Sequence, residues 1–230
     1  MGRGRKQAAL VLLPVTAGCL AMAWIEGSLR PVYPVKSALK IAVFLGCSGL
    51  YMLLTRDWTP WKSFRRPSCQ ALRPAALLAL GTLAVLLGGY LLLSPWLDLS
   101  AIPANLAAKE GITRQTFSLA AIYITFCNSL LEEYFFRGFA FLSLHQMGYK
   151  KLAYGFSALA FALYHLSIAG SWGAPVLVLL MVAGLTAAGL LFSWLDRQGS
   201  ILPAWLVHMG ANLATNTVGL MLFGILPYSR

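Results

Sequence analysis

Long apolar runs return from one end of this chain to the other, and no other feature restricts its fold as strongly. Hydropathy places them at Ala8 to Ile25, Ala38 to Leu54, Ala75 to Leu97, Thr116 to Leu142, Leu152 to Ile168, Ala174 to Leu195 and Ile201 to Leu226. Runs of about 17 to 25 such residues cross a hydrocarbon core of about 30 Å as helices. Hydrophobic residues make up 59% of the chain and charged ones 11%, against about a quarter charged in soluble domains. A water-soluble fold cannot hide that much apolar surface. The expected fold is all-α: one integral membrane domain over residues 1–230, a polytopic bundle of about seven spans.

The net charge of +11 raises nucleic acid as a partner, but the cations sit in short gaps between apolar runs, without the aromatic and basic interleaving of RNA-binding surfaces. Membrane is the partner they fit. Cys19, Cys47, Cys69 and Cys127 are scattered singly, with no CxxC pair that would point to zinc or a disulfide framework. The N-terminus (Arg3, Arg5, Lys6) and the gaps holding Arg56, Lys62, Arg65, Arg66, Arg73, Lys150, Lys151 and Arg197 carry most of the loop cations. The alternate gaps hold Arg30, Lys36, Lys40, Lys109, Arg114 and Arg230. The positive-inside rule then places the N-terminus in the cytoplasm. The Thr55 to Pro74 gap, with Trp58, Trp61 and Phe64 among its cations, is expected to rest on headgroups. Arg3, Arg5 and Lys6 before an apolar stretch ending Ala21-Met22-Ala23 also fit a cleaved signal peptide, although the stretch is long for one. Lys6 breaks the myristoylation pattern.

An ionisable side chain at the centre of a membrane helix costs about 2.5 to 3.5 kcal/mol, so each needs a partner or a wet cavity. Glu132, Glu133 and Arg137 in the fourth run, His165 in the fifth and His208 in the seventh meet that description, with Asn212 as a neutral companion. Glu133 and Arg137 are spaced to pair on one helix face. Glu132 points about 100 degrees away and is left as the unexplained carboxylate. Phe161 and His165 share a face, as do His208 and Asn212. Counted from the turns near Gly148 and Gly199 at about 1.5 Å per residue, Glu132 and His165 reach one level, and His208 and Asn212 reach the same cavity if the helices tilt. Pro203 and Gly210 can supply a bend or a close approach there. His145, near a helix end, is expected at the interface. Peptide hydrolysis needs a base for water, a donor for the leaving amine and donors for the oxyanion, and these residue types can supply all three.

Glu132-Glu133-Tyr-Phe-Phe-Arg137 resembles an EExxxR motif, Phe161-Ala-Leu-Tyr-His165 an FxxxH motif, and His208-Met-Gly-Ala-Asn212 an HxxxN motif. In that order they are similar to the CAAX protease and bacteriocin-processing family, with the motif-bearing core at about 116–226. The resemblance implies an all-helical glutamic intramembrane endopeptidase. In it Glu132 is the general base assisted by His165, His208 and Asn212 form the oxyanion hole, and Glu133, Arg137 and Phe161 shape the site. It implies no cofactor and no metal. It also implies a membrane-associated protein or peptide substrate, such as a C-terminal sorting tail, a leader or a lipidated chain. Short loops resemble the bacterial branch, which implies a bacterial inner membrane. Two other readings stay open: a zinc-dependent protease using Glu132, His165 and His208 as ligands, and a non-catalytic transporter or scaffold whose polar residues line a path.

Overall fold

The computed structural model describes residues 3–96, 98–166 and 175–227. Leu97, Ile168 and Ala174, expected as span limits, and Arg230, counted among the loop cations, lie outside the described residues. Among the described residues all regular structure is helical. Helix α1 (Arg3–Trp24) runs into a π turn (Ile25–Leu29), and α2 (Tyr33–Thr55) returns beside it. A short α3 (Thr59–Lys62) leads to α4 (Cys69–Leu93), and α5 (Ala101–Glu110) precedes α6 (Arg114–Tyr123). A π turn (Ile124–Asn128), α7 (Ser129–Glu133), a π segment (Tyr134–Phe141) and α8 (Leu142–Gln146) then continue α6 as one helical path. The bundle closes with α9 (Lys150–Tyr164), α10 (Pro175–Asp196) and α11 (Leu202–Leu222).

Local chemistry sets several of these limits. Proline stands in the first turn of α2, α3 and α11, where its missing N–H leaves no hydrogen bond unmade. Ser68 caps α4 by accepting from the Ala71 amide at 3.2 Å. Gly148 and Gly199 turn the chain at φ of 89° and 96°, a region that costs glycine little.

Leu77, Val85, Leu92, Leu119 and Leu179 are all exposed. So many outward leucines and valines suit a lipid solvent. Four helices combine the length and hydropathy of a membrane span among the described residues: Lys6–Leu29, Tyr33–Thr55, Cys69–Trp96 and Val178–Asp196. Four of the seven expected runs therefore meet that criterion. The fourth run is divided by its π turns, the fifth has 15 residues in α9, and His208, Asn212 and Asn216 dilute the seventh. The chain is an integral membrane protein built as an all-α bundle.

Two helix contacts position the site. A Cβ on Gly210 would lie 2.6 Å from the Ala79 carbonyl oxygen, so α4 and α11 meet backbone to backbone beside His208. A Cβ on Gly189 would lie 2.8 Å from Ala158 Cα, which joins α10 to α9 in the same way. Phe44, Phe135, Phe136 and Phe139 fill the core between α1, α2 and the π segment, with Phe44 stacked on Phe135 at 3.8 Å.

Candidate functional site

The two carboxylates of the fourth run face different neighbours, as their angular separation requires. Glu133, fully buried, meets Arg137 Nε at 3.3 Å through Oε2 and His208 Nδ1 at 2.8 Å through Oε1. The Arg137 guanidinium lies over the Phe161 ring at 4.2 Å and the Phe192 ring at 5.0 Å. This cation–π contact supplies attraction where its nitrogens have no hydrogen-bond partner among the described residues.

Glu132 divides its two oxygens. Oε1 accepts from Lys40 Nζ and from Asn128 Nδ2 at 3.1 Å, while Lys40 also donates to Asn128 Oδ1 at 2.7 Å. Oε2 faces Nε2 of His165 at 3.9 Å and Nε2 of His208 at 3.8 Å. Nδ1 of His165 sits 2.7 Å from the Phe161 carbonyl oxygen. A carbonyl only accepts, so Nδ1 carries the proton and a neutral ring leaves Nε2 as an acceptor turned to Glu132.

The helical path itself is held open for these contacts. Asn212 Nδ2 donates to the Ile124 carbonyl at 3.1 Å, Asn216 Nδ2 to the Ala121 carbonyl at 3.2 Å, and Trp205 Nε1 to the Phe126 carbonyl at 3.2 Å. All three donors come from α11 and serve carbonyls in or beside the π turn. Single π turns often mark functional sites, because the extra residue re-aims the side chains that follow.

A cavity of about 280 Å³ joins these groups, with Lys40, Asn128, Glu132, His165, His208 and Asn212 on its walls. A second recess of about 500 Å³, mostly apolar, adjoins it and shares Tyr33, Ser37 and Ile112. Every site residue expected from the sequence thus lies at the cavity or directly behind it.

Lys40 is not a loop cation. Expected among the loop cations, it is instead buried inside α2 against Glu132, and that carboxylate, expected to lack a partner on its own helix, has Asn128 four residues earlier. Asp196 was also missed: buried at the end of α10, it accepts from the Ala204 amide at 3.0 Å. His145 stacks against Phe141 at 5.1 Å beside the Gly148 turn. Burial first, and the Lys150 charge second, push its imidazole below the usual range. Among the described residues, no group of three or more His, Cys, Asp or Glu has an arrangement that would hold a metal ion.

Fold and cavity together define a multi-pass helical membrane protein with a buried carboxylate and imidazole centre. Residues 114–214 match the family model described as Type II CAAX prenyl endopeptidase Rce1-like. That model describes the CAAX protease and bacteriocin-processing family, a family of membrane proteases, to which residues 114–214 are similar. No curated protein and no solved structure matches the chain.

Proposed function

We propose that the chain is a glutamic intramembrane endopeptidase with Glu132 as its general base. The observation that carries this reading is the approach of both imidazole Nε2 atoms to Glu132 Oε2, at 3.9 and 3.8 Å, on the wall of one cavity. A water held there meets a carboxylate acceptor and two rings that can move protons. Glu132 takes a proton from water while the water oxygen bonds to the scissile carbonyl carbon. His165 receives that proton on Nε2 and passes it to the leaving nitrogen as the C–N bond breaks. Water is added across the bond and the carboxylate returns to its starting state.

The developing oxyanion needs donors. His208 already donates from Nδ1 to Glu133, so only its imidazolium form donates from Nε2 as well. Glu133 and Arg137 frame that ring, and Phe161 packs on both Arg137 and His208. Asn212 commits one amide hydrogen to Ile124 and has a second for the oxyanion. Lys40 is a positioning residue: it holds the Oε1 edge of Glu132 and leaves Oε2 for the chemistry.

The core of this activity is residues of about 116–226 within one membrane domain. The cell is bacterial, with the N-terminus in the cytoplasm. The substrate is a membrane-associated protein or peptide, a sorting tail, leader or lipidated chain, and the apolar recess beside the cavity supports a lipidated or strongly apolar one. Incubating the purified protein with a farnesylated peptide ending in a CAAX-type box, and with its unprenylated twin, tests this reading by mass spectrometry. Release of a C-terminal fragment is expected, faster from the farnesylated peptide; both peptides remaining intact would count against it.

A further inference from the structure

Three loops are tied together on one face of the bundle. Ile201 N donates to the Ser63 carbonyl at 3.0 Å, Ser200 Oγ to the Arg65 carbonyl at 2.7 Å, and Thr59 Oγ1 to Gln146 Oε1 at 2.9 Å. These loops carry Arg56, Lys62, Arg65, Arg66, Lys150, Lys151 and Arg197. The opposite face is tied by Lys36 to Glu110 at 2.6 Å and by Arg114 to the Gly224 carbonyl at 2.8 Å. Its cations are fewer still once Lys40 is withdrawn into the core and Lys36 is paired.

Among the described residues, the cavity's lining reaches this second face. Its outer wall includes Glu26, Tyr33, Lys36, Leu106, Glu110 and Ile112, and among the described residues none of its lining comes from the basic loops. On the basic side of Glu132 the chain continues through Tyr134, Phe135, Phe136, Arg137, Phe139 and Phe141, all buried and closely packed. That layer leaves no route for a peptide from the basic face.

We propose that the site opens on the extracytoplasmic face, and that its substrate is an exported chain whose cut segment leaves the membrane on that side. The side follows from the positive-inside rule applied to the paired loops; the substrate class rests in addition on the peptidase reading above. A peptide threading inward passes Glu26, Lys36 and Glu110 before reaching Lys40 and Glu132. The apolar recess beside the cavity takes the membrane-embedded part.

The test uses spheroplasts of bacterial cells expressing the full chain, a membrane-impermeant maleimide and site-resolved mass spectrometry. Ala108→Cys, on an exposed turn of α5, is expected to label in intact spheroplasts, and Cys69, exposed at the start of α4, only after lysis. Labelling of Cys69 in intact spheroplasts would overturn the proposal. In a second arm, a water-soluble, membrane-impermeant peptide that the purified protein cleaves is offered to intact spheroplasts and to sealed inverted vesicles. Cleavage by spheroplasts alone is expected, and cleavage by inverted vesicles alone would overturn the side of access. Should the purified protein cleave no peptide, the peptidase reading fails while the labelling still decides which face the mouth is on.

Discussion

Nδ1 of His208 lies 2.8 Å from Oε1 of Glu133, while Nε2 of the same ring faces Oε2 of Glu132. One imidazole therefore links the two adjacent carboxylates, and Glu133 decides which way the ring points. Changing Glu133→Gln removes the charge that holds both this ring and the buried Arg137. Breaking a buried pair from one side costs about 3 to 5 kcal/mol, so the variant's thermal unfolding in detergent should shift well below that of the wild type. His208→Ala or Asn212→Ala should instead leave unfolding closer to wild type and slow turnover. Loss of an oxyanion donor costs about 2.7 to 4 kcal/mol of barrier, or about a hundredfold to a thousandfold in rate.

Lys40 is tested by replacing its charge and then restoring it. With Lys40→Met, Glu132 keeps Asn128 and the two imidazoles as its polar neighbours among the described residues, and the hold on its Oε1 edge is weakened. Misplacing a reacting group by about an ångström can cost about a hundredfold, so kcat should fall by that order with little change in KM. Lys40→Arg should recover part of the loss. Steady-state rates for both variants check this, and a wild-type kcat in Lys40→Met would deny the positioning role.

The contact at Gly210 leaves no room for a side chain. A Cβ there meets the Ala79 carbonyl, part of a helix backbone that cannot swing aside. Gly210→Val should separate α4 from α11, lower stability by about 1 to 3 kcal/mol as overpacking does, and disturb His208 and Asn212 on either side. At Gly155 in α9 nothing lies within 4 Å of an added Cβ, so Gly155→Ala should be neutral or stabilising by up to about 1 kcal/mol. Denaturation of the two variants side by side separates a packing effect from a general intolerance of substitution.

The cavity's principal residues could be read from the sequence because charge inside an apolar run stands out against its background. Glu132, Glu133, Arg137, His165 and His208 all have that property, and the spacing of Glu133 and Arg137 already suggests their pairing. Lys40 does not stand out, because it falls near the edge of its apolar run and reads as a loop cation. Asp196 is hidden in the same way, next to Arg197 at the end of α10. The π turn before Glu132 has no local signature either, since donors from Trp205, Asn212 and Asn216 on a distant helix meet its carbonyls. The span count is lowered in part by the same groups: His208, Asn212 and Asn216 reduce the hydropathy of the seventh run, whereas π turns divide the fourth and α9 has only 15 residues.

Whether Glu132 supplies the base is decided by the rate of peptide cleavage by purified Glu132→Gln. Glutamine keeps the shape and the contact with Lys40 but cannot take a proton from water. The measurement compares wild type and variant at equal folded concentration on a peptide that the wild type cleaves, with a metal chelator present throughout. The wild type should stay active in chelator, and Glu132→Gln should fall by about a hundredfold to ten-thousandfold, the contribution of a positioned acid–base group. Wild-type cleavage by well-folded Glu132→Gln, or chelator inactivation that zinc restores, would contradict Glu132 as the base.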